Sequence, residues 1–121
     1  MGPAPLSPAR WAGDFLYISG QVGIDPATGQ MVGEDLASQT RQALANFRSL
    51  VTAAELTMAD VVKTTIFLVD LDRFAEMNEI YREFFTAPYP TRSTVGITLT
   101  PAALRFEIEG VAMRPRADLS A

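Results

Sequence analysis

The stretch VVKTTIFLVD, Val61 to Asp70, constrains the fold of this chain more than any other segment. It is rich in β-branched residues and almost entirely apolar, and Lys63 is the only charged residue inside it. A run with this composition is typical of a central β-strand that is covered on both faces. The chain is therefore expected to build its structure around a sheet.

The segments that flank this strand have the periodicity of amphipathic helices. From Asp35, a plausible N-cap, apolar residues recur every three or four positions, while Gln39 and Arg41 lie away from them. A second helix is predicted to begin at Asp72 and to end before Pro88. Its apolar positions are Phe74, Met77, Ile80, Tyr81, Phe84 and Phe85.

The remaining segments are interpreted as strands and one arm. An extended arm, residues 1–10, precedes an alternating strand from Phe15 to Val22. The turn sequence DPATG then leads to a short hairpin return around Gln30 to Val32. Two strands close the chain, Thr91 to Leu99 and Leu104 to Met113. The element order is ββαβαββ, which indicates an α+β fold.

The length of 121 residues suits a single domain, residues 1–121. Two helices can cover only one face of a sheet of this size, so the opposite face needs another partner. We therefore expect the chain to form a homo-oligomer.

The charge balance argues against nucleic acid as a partner. The chain has 10 basic and 14 acidic residues and a net charge of −4, whereas phosphate neutralisation requires a positive field. The basic residues are scattered, apart from Arg114 and Arg116, which are interpreted as a solvated tail.

The chain contains neither cysteine nor histidine. This composition excludes disulfides, thiolate nucleophiles, zinc sites built from Cys and His, and a serine hydrolase triad with histidine. Acid–base chemistry must then use carboxylates, tyrosine, lysine, backbone groups or water. No metal site is predicted.

No segment of the sequence is predicted to target or cross a membrane. The first ten residues contain no apolar core of signal-peptide length. The longest apolar run, Ile66 to Val69, is far shorter than a membrane span. The cytoplasm is the expected location.

The last two strands carry the main candidate site. With a period of two, Arg92 and Thr94 share one face of their strand, and Glu107 and Glu109 share a face of the other. If these strands pair, all four lie on the face that the helices leave open. Spacing alone favours a structural ion pair between Arg92 and a glutamate. The alternative is a ligand site in which Arg92 grips a carboxylate and a glutamate handles water.

Three weaker candidates remain. Gly20, after Ser19, allows either close approach of a ligand to backbone N–H groups or a β-bulge. Asn78 lies among apolar residues of the second helix, where an exposed asparagine is the more common outcome. Trp11 and Tyr17 could line a pocket, although such aromatics usually belong to the core.

Four segments together resemble the Rid family, the reactive intermediate deaminases or YjgF-like proteins. They are SGQVGIDPATG, DVVKTTIFLVDLDRFAEMNEIY, YPTRSTVGI and FEIEGVAM, which follow in order along nearly the whole chain. The resemblance implies a mixed sheet with two helices on one face, as in a chorismate-mutase-type subunit. It also implies a homotrimer whose sheets close a central β-barrel, with sites in the clefts between subunits.

The resemblance further implies hydrolysis of 2-imino acids and their enamine tautomers to 2-keto acids and ammonia, without a metal or organic cofactor. Arg92 matches the family's carboxylate clamp, and Glu107 matches the residue that positions water. Ser19 and Gly20 match a polar pair that lines the cleft. Asn78 matches an asparagine that an adjacent subunit can supply.

Two departures from the family pattern keep other functions open. Thr94 replaces a cysteine of many members, at a substrate-binding position where the main chain contributes. The N-terminal arm reads SPARW and lacks the usual tyrosine. The alternatives are a pathway-specific hydrolase or deaminase of the same family and a non-catalytic trimer that binds a small acid.

Overall fold

Five strands and two α-helices make up the computed structural model, which describes residues 2–115. The strands are β1 (Ala9–Ala12), β2 (Phe15–Val22), β3 (Val61–Leu68), β4 (Thr91–Gly96) and β5 (Phe106–Met113). The helices are α1 (Leu36–Ala53) and α2 (Phe74–Tyr81), and 3₁₀ turns at Met58–Asp60 and Leu71–Arg73 precede β3 and α2.

The strands form one mixed sheet in the order β1-β2-β5-β3-β4. The β3–β4 pair is parallel, and the other three pairs are antiparallel. Both helices pack on the same face of this sheet, which confirms the α+β fold class. Neither helix in residues 2–115 is both long enough and apolar enough to cross a membrane.

Several element boundaries differ from those expected. Strand β1 begins within the last two residues of the predicted arm, where Ala9 and Arg10 pair with Ile18 and Tyr17, and it continues to Ala12. The hairpin return forms no strand, only a bridge between Ile24 and Met31. At the other end of the chain, helix α2 ends at Tyr81 and strand β4 ends at Gly96, so both are shorter than predicted.

Helix α1 begins as the sequence predicts. Asp35 is its N-cap, and the carboxylate accepts a hydrogen bond from the backbone N–H of Ser38 at 2.9 Å. Its buried stripe, which includes Leu44, Phe47 and Val51, packs against the sheet. This packing buries one face of each central strand.

Gln39 was expected to lie away from this stripe, and that expectation is wrong. Its side chain is fully buried, and its Nε2 donates to the carbonyl oxygens of Gly33 at 2.9 Å and Ala103 at 3.0 Å. Its Oε1 accepts from the backbone N–H of Arg105 at 2.7 Å. Burial is tolerated because these bonds satisfy the amide, which joins α1 to two loops.

Strand β3 is covered on one face rather than on both. Thr64, Ile66 and Leu68 are buried beneath the helices, whereas Lys63 is exposed and Thr65 and Phe67 are half-buried. The sheet side away from the helices is called the open face. It carries Phe15, Tyr17, Thr65, Phe67, Val95, Glu107, Glu109, Val111 and Met113.

Gly110 lies where strand β5 passes over the core, and we predict that Gly110→Ala destabilises the fold. An added Cβ would lie 2.7 Å from the carbonyl oxygen of Lys63 and 2.8 Å from Cζ of Phe47. Since a backbone atom and a buried ring must move, the free energy of unfolding should fall by about 1–3 kcal/mol. Urea unfolding at a fixed protein concentration measures this change. Gly2→Ala, which meets no atom within 4 Å, is the control, and equal midpoints for both variants would contradict the prediction.

Candidate functional site

The pairing of strand β4 overturns the predicted arrangement of the charged residues. β4 pairs with β3 rather than with β5. Arg92 is in register with the buried Thr64, whereas Glu107 is in register with Phe67 of the open face. Because successive residues of a strand point to opposite faces, Arg92 and Glu107 lie on opposite sides of the sheet. The expectation that they share the open face is wrong.

Arg92 lies against two aromatic rings of helix α2. Its Cζ is 4.9 Å from the ring centroid of Tyr81 and 5.5 Å from that of Phe74, which is the geometry of cation–π contacts. Among residues 2–115 no carboxylate forms an ion pair with Arg92. The structural ion pair with Glu107 or Glu109, which spacing favoured, is absent from this part of the chain.

The ring of Tyr81 is itself held in place by two contacts, with Thr64 and Phe85. Its hydroxyl is hydrogen-bonded to Oγ1 of the buried Thr64 at 2.9 Å, and its ring stacks on Phe85 with centroids 4.5 Å apart. Burial raises the pKa of Tyr81, although the Thr64 bond and the charge of Arg92 oppose this change. The side chain is therefore a neutral phenol at physiological pH.

A pocket of about 250 Å³ lies beside this cation and is called the arginine pocket. Asn78, Tyr81, Arg82, Tyr89, Pro90 and Arg92 line it. The Oδ1 atom of Asn78 is buried and has no hydrogen-bond partner within the described chain. The prediction of an ordinary exposed asparagine is therefore wrong, because Asn78 is half-buried and lines the pocket while its Oδ1 atom is closed off from solvent. Thr94 lies on the Arg92 face of β4, beside Ile66, but does not line this pocket.

Glu107 belongs to a second group of residues, on β2 and β5. It packs on Gly20 so closely that an added Cβ at Gly20 would lie 1.8 Å from the glutamate Oε2. The β2–β5 register shifts between Ile18 and Gln21, so the β-bulge considered for this glycine is present. Burial first, and then the charge of Glu109, raise the pKa of Glu107.

Ser19 lines a larger hollow of about 930 Å³ on the open face. Its Oγ donates to the carbonyl oxygen of Ser7 at 2.6 Å, so its hydroxyl proton is already engaged by the arm. Tyr17 lines the same hollow and is 54% exposed, and Trp11 is 37% exposed, so neither aromatic belongs to the core.

No cluster of acidic side chains within residues 2–115 has the arrangement of a metal site.

The tail assignment is corrected for one of its two arginines. The guanidinium of Arg114 lies over the ring of Trp11, with Cζ 4.3 Å from the centroid, and its backbone N–H donates to the carbonyl oxygen of Asp14. These contacts hold the end of β5 against β1. Arg116 lies outside the described residues.

The structure thus sorts the predicted residues into two groups within one chain. Arg92 and Asn78 share the arginine pocket, and Glu107, Gly20 and Ser19 lie across the sheet. Sequence reasoning missed Tyr81, Arg82 and Tyr89 as lining residues. The spacing of Asn78 and Arg82, four residues apart at the end of α2, was an available signal that they share a face.

We predict that the buried Tyr81–Thr64 hydrogen bond makes the stability effects of its partners non-additive. Tyr81→Phe and Thr64→Val should each cost about 1–3 kcal/mol, because each leaves a buried hydroxyl without its partner. The double variant should cost less than the sum, because neither hydroxyl remains. Urea unfolding measures these values, and the exposed Tyr89→Phe is the control. Strictly additive losses would contradict the prediction.

Comparisons with known proteins agree with this fold. Residues 2–114 match the model of the family described as Endoribonuclease L-PSP. The 2-iminobutanoate/2-iminopropanoate deaminase of Salmonella typhimurium is 44% identical over 105 residues, which cover 84% of this chain and 81% of that protein. The human protein of the same name is 39% identical over 110 residues, which cover 91% and 80%.

A solved structure gives the same result in three dimensions. The crystal structure of Escherichia coli TdcF with bound serine superposes with a TM-score of 0.87 and 36% identity, covering 94% of this chain and 91% of that one. These names agree with the deaminase class that the sequence resemblance implied.

Proposed function

Because this chain belongs to the Rid family of reactive intermediate deaminases, we propose that it hydrolyses 2-imino acids and their enamine tautomers to 2-keto acids and ammonia. The observation that carries the proposal is the state of Arg92. This cation has no acidic partner within residues 2–115, yet it lies in a pocket of about 250 Å³ that Asn78 also lines. Such a pocket suits a small acid.

Substrate binding would use both of these polar groups. The planar guanidinium of Arg92 would hold the substrate carboxylate through two parallel hydrogen bonds. The rings of Tyr81 and Phe74 restrict the guanidinium, so little side-chain freedom is lost on binding. The side-chain amide of Asn78, which also lines the pocket, would hydrogen-bond the imine nitrogen and so orient the C=N bond.

Glu107 would deliver the water that attacks the imine carbon. The carboxylate removes a proton from water as the oxygen bonds to C2, and the same carboxyl group gives that proton to the nitrogen. Glu107 then transfers the hydroxyl proton of the resulting carbinolamine to its amino group, so the C–N bond breaks, ammonia leaves and the C2 carbonyl forms. A glutamate whose pKa is raised by burial is better matched to proton transfer near neutral pH.

This mechanism requires more than one copy of the chain, because Arg92 and Glu107 lie on opposite faces of the sheet. β4 is an outermost strand, so the arginine pocket lies at the sheet edge, where the open face of a neighbouring copy could meet it. We propose a homotrimer in which the pocket of one subunit faces Glu107 of the next. The apolar residues of the open face support such packing.

A second candidate function is a trimer that binds a small acid without turnover. The separation of Arg92 from Glu107 within one chain favours it where the subunits assemble without bringing Glu107 to the pocket, since a clamp without a nearby base only binds. The ribonuclease activity named in the family description is less compatible with this chain. Its net charge of −4 provides no positive field for an RNA backbone.

We predict that Arg92→Gln lowers kcat/KM by about 100-fold or more, because the substrate carboxylate loses a charge-assisted pair. Trapping of 2-aminoacrylate, generated in situ, with semicarbazide measures the rate. The control is Arg48→Gln, an exposed arginine of α1 that lies over Phe84. Turnover by Arg92→Gln at the normal rate would reject the proposal. Calorimetric binding of 2-oxobutanoate by a protein without turnover would favour the second candidate.

We predict that the profile of kcat/KM against pH has an acidic limb at a pH above the ordinary glutamate pKa of about 4.3. Glu107 acts in its ionised form, so kcat/KM should fall as the pH drops through its raised pKa. Glu109→Gln removes one cause of that increase and should move the limb to lower pH. Glu76→Gln, on helix α2 across the sheet, should leave the limb in place. A limb that responds equally to both substitutions would contradict this role of Glu107.

A further inference from the structure

The arginine pocket contains a second cation that the proposed reaction does not use. Arg82 lines it together with Arg92, and no carboxylate is among its six lining residues. A single carboxylate needs only one guanidinium for two parallel hydrogen bonds. The presence of two guanidinium groups in one small pocket therefore bears on which acids it accepts.

Helix α2 presents Arg82 to this pocket. Arg82 is the C-cap residue of α2 and follows Asn78 by four positions, so the two side chains share one face of the helix. Arg92 reaches the same pocket from strand β4. The two cations thus come from different elements and border one space from separate sides.

Arg82 already has one partner, but that partner lies in solvent. Its Nη1 donates to Oε1 of Glu79, and the two side chains are 56% and 75% exposed. Ion pairs this exposed contribute little, because water screens them and both side chains lose freedom. Glu79 therefore leaves Arg82 able to meet a second anion.

The pocket has room for one small molecule that meets both cations. A volume of 250 Å³ equals that of about eight liquid water molecules, at about 30 Å³ each. An acid of four or five carbons with a carboxylate at each end fits that space. With one end on Arg92, its other end would lie near Arg82 and Tyr89, which line the same pocket.

We propose that the arginine pocket selects imino acids whose side chain carries a second acidic group, with Arg82 as the specificity-determining residue. This inference rests on the proposed function, in which Arg92 holds the carboxylate next to the imine. Arg82 takes no part in the bond changes. It discriminates because a monocarboxylate leaves it in water, whereas a dicarboxylate forms a further charge-assisted hydrogen bond.

Calorimetric titration of the full chain with 2-oxoglutarate and with 2-oxobutanoate tests the proposal. The dicarboxylate should bind at least about 10-fold more tightly, which one charge-assisted hydrogen bond can supply. Arg82→Gln should abolish this preference, because it should weaken the binding of 2-oxoglutarate by at least about 10-fold more than it weakens that of 2-oxobutanoate. Glu79→Gln, which removes the competing carboxylate, should increase the preference.

Arg73→Gln is the matched control. Arg73 adjoins the N-terminal end of α2. Like Arg82, it forms an ion pair with a glutamate three positions away, Glu76, but it does not line the arginine pocket. Its substitution should leave the preference unchanged. A preference that survives Arg82→Gln, or falls equally in Arg73→Gln, would overturn the inference, as would equal binding of the two acids by the unchanged protein.

Turnover of 2-aminoacrylate separates this inference from the function on which it rests. If turnover depends on Arg92 but the two acids bind equally, the specificity role of Arg82 is wrong and the deaminase function stands. If turnover does not depend on Arg92, the proposed function fails, whatever the dicarboxylate preference.

Discussion

The parallel pairing of β4 with β3 determines where the chemistry of this chain lies. This register places Arg92 beside Thr64, on the helix-covered side, where Tyr81 and Phe74 of α2 meet the guanidinium. A shift of one residue would move Arg92 to the open face, because side chains alternate along a strand. Thr64 links the cation of β4 to the aromatic ring of α2, since it is the register partner of Arg92 and the hydrogen-bond partner of Tyr81.

Local signals in the sequence predicted much of the fold. The alternation of Phe15–Val22 predicted a strand with the observed bounds, and Asp35 is the N-cap that its position indicated. The side on which Arg92 lies depends on which strands are neighbours, and β3 separates β4 from β5. That pairing is a long-range property, so alternation within each strand could not supply it. Gln39 was placed outside the core for a similar reason, since two of its three hydrogen-bond partners, Ala103 and Arg105, are 64 and 66 residues away in the sequence.

The site was predictable in its chemistry but not in its geometry. The family resemblance pointed to Arg92 and Asn78, and both line one pocket. Tyr81 was assigned to an apolar stripe because its spacing on the helix fits one, and it is buried, yet its ring also supports the cation. The absence of a hydrogen-bond partner for Oδ1 of Asn78 among residues 2–115 is a property of the packed structure, and no spacing rule reveals it.

The separation of Arg92 from Glu107 has a chemical consequence for any site that combines them. On one face of one sheet the two would pair, and the pairing would lower the pKa of the glutamate and occupy the guanidinium. On opposite faces, Glu107 keeps a pKa raised by burial and by Glu109, and Arg92 contacts neutral rings instead of an anion. Assembly would then bring together a base and a cation from different subunits, with the substrate's own carboxylate as the counter-charge. In such a site, the guanidinium would have no counter-charge until a substrate acid enters.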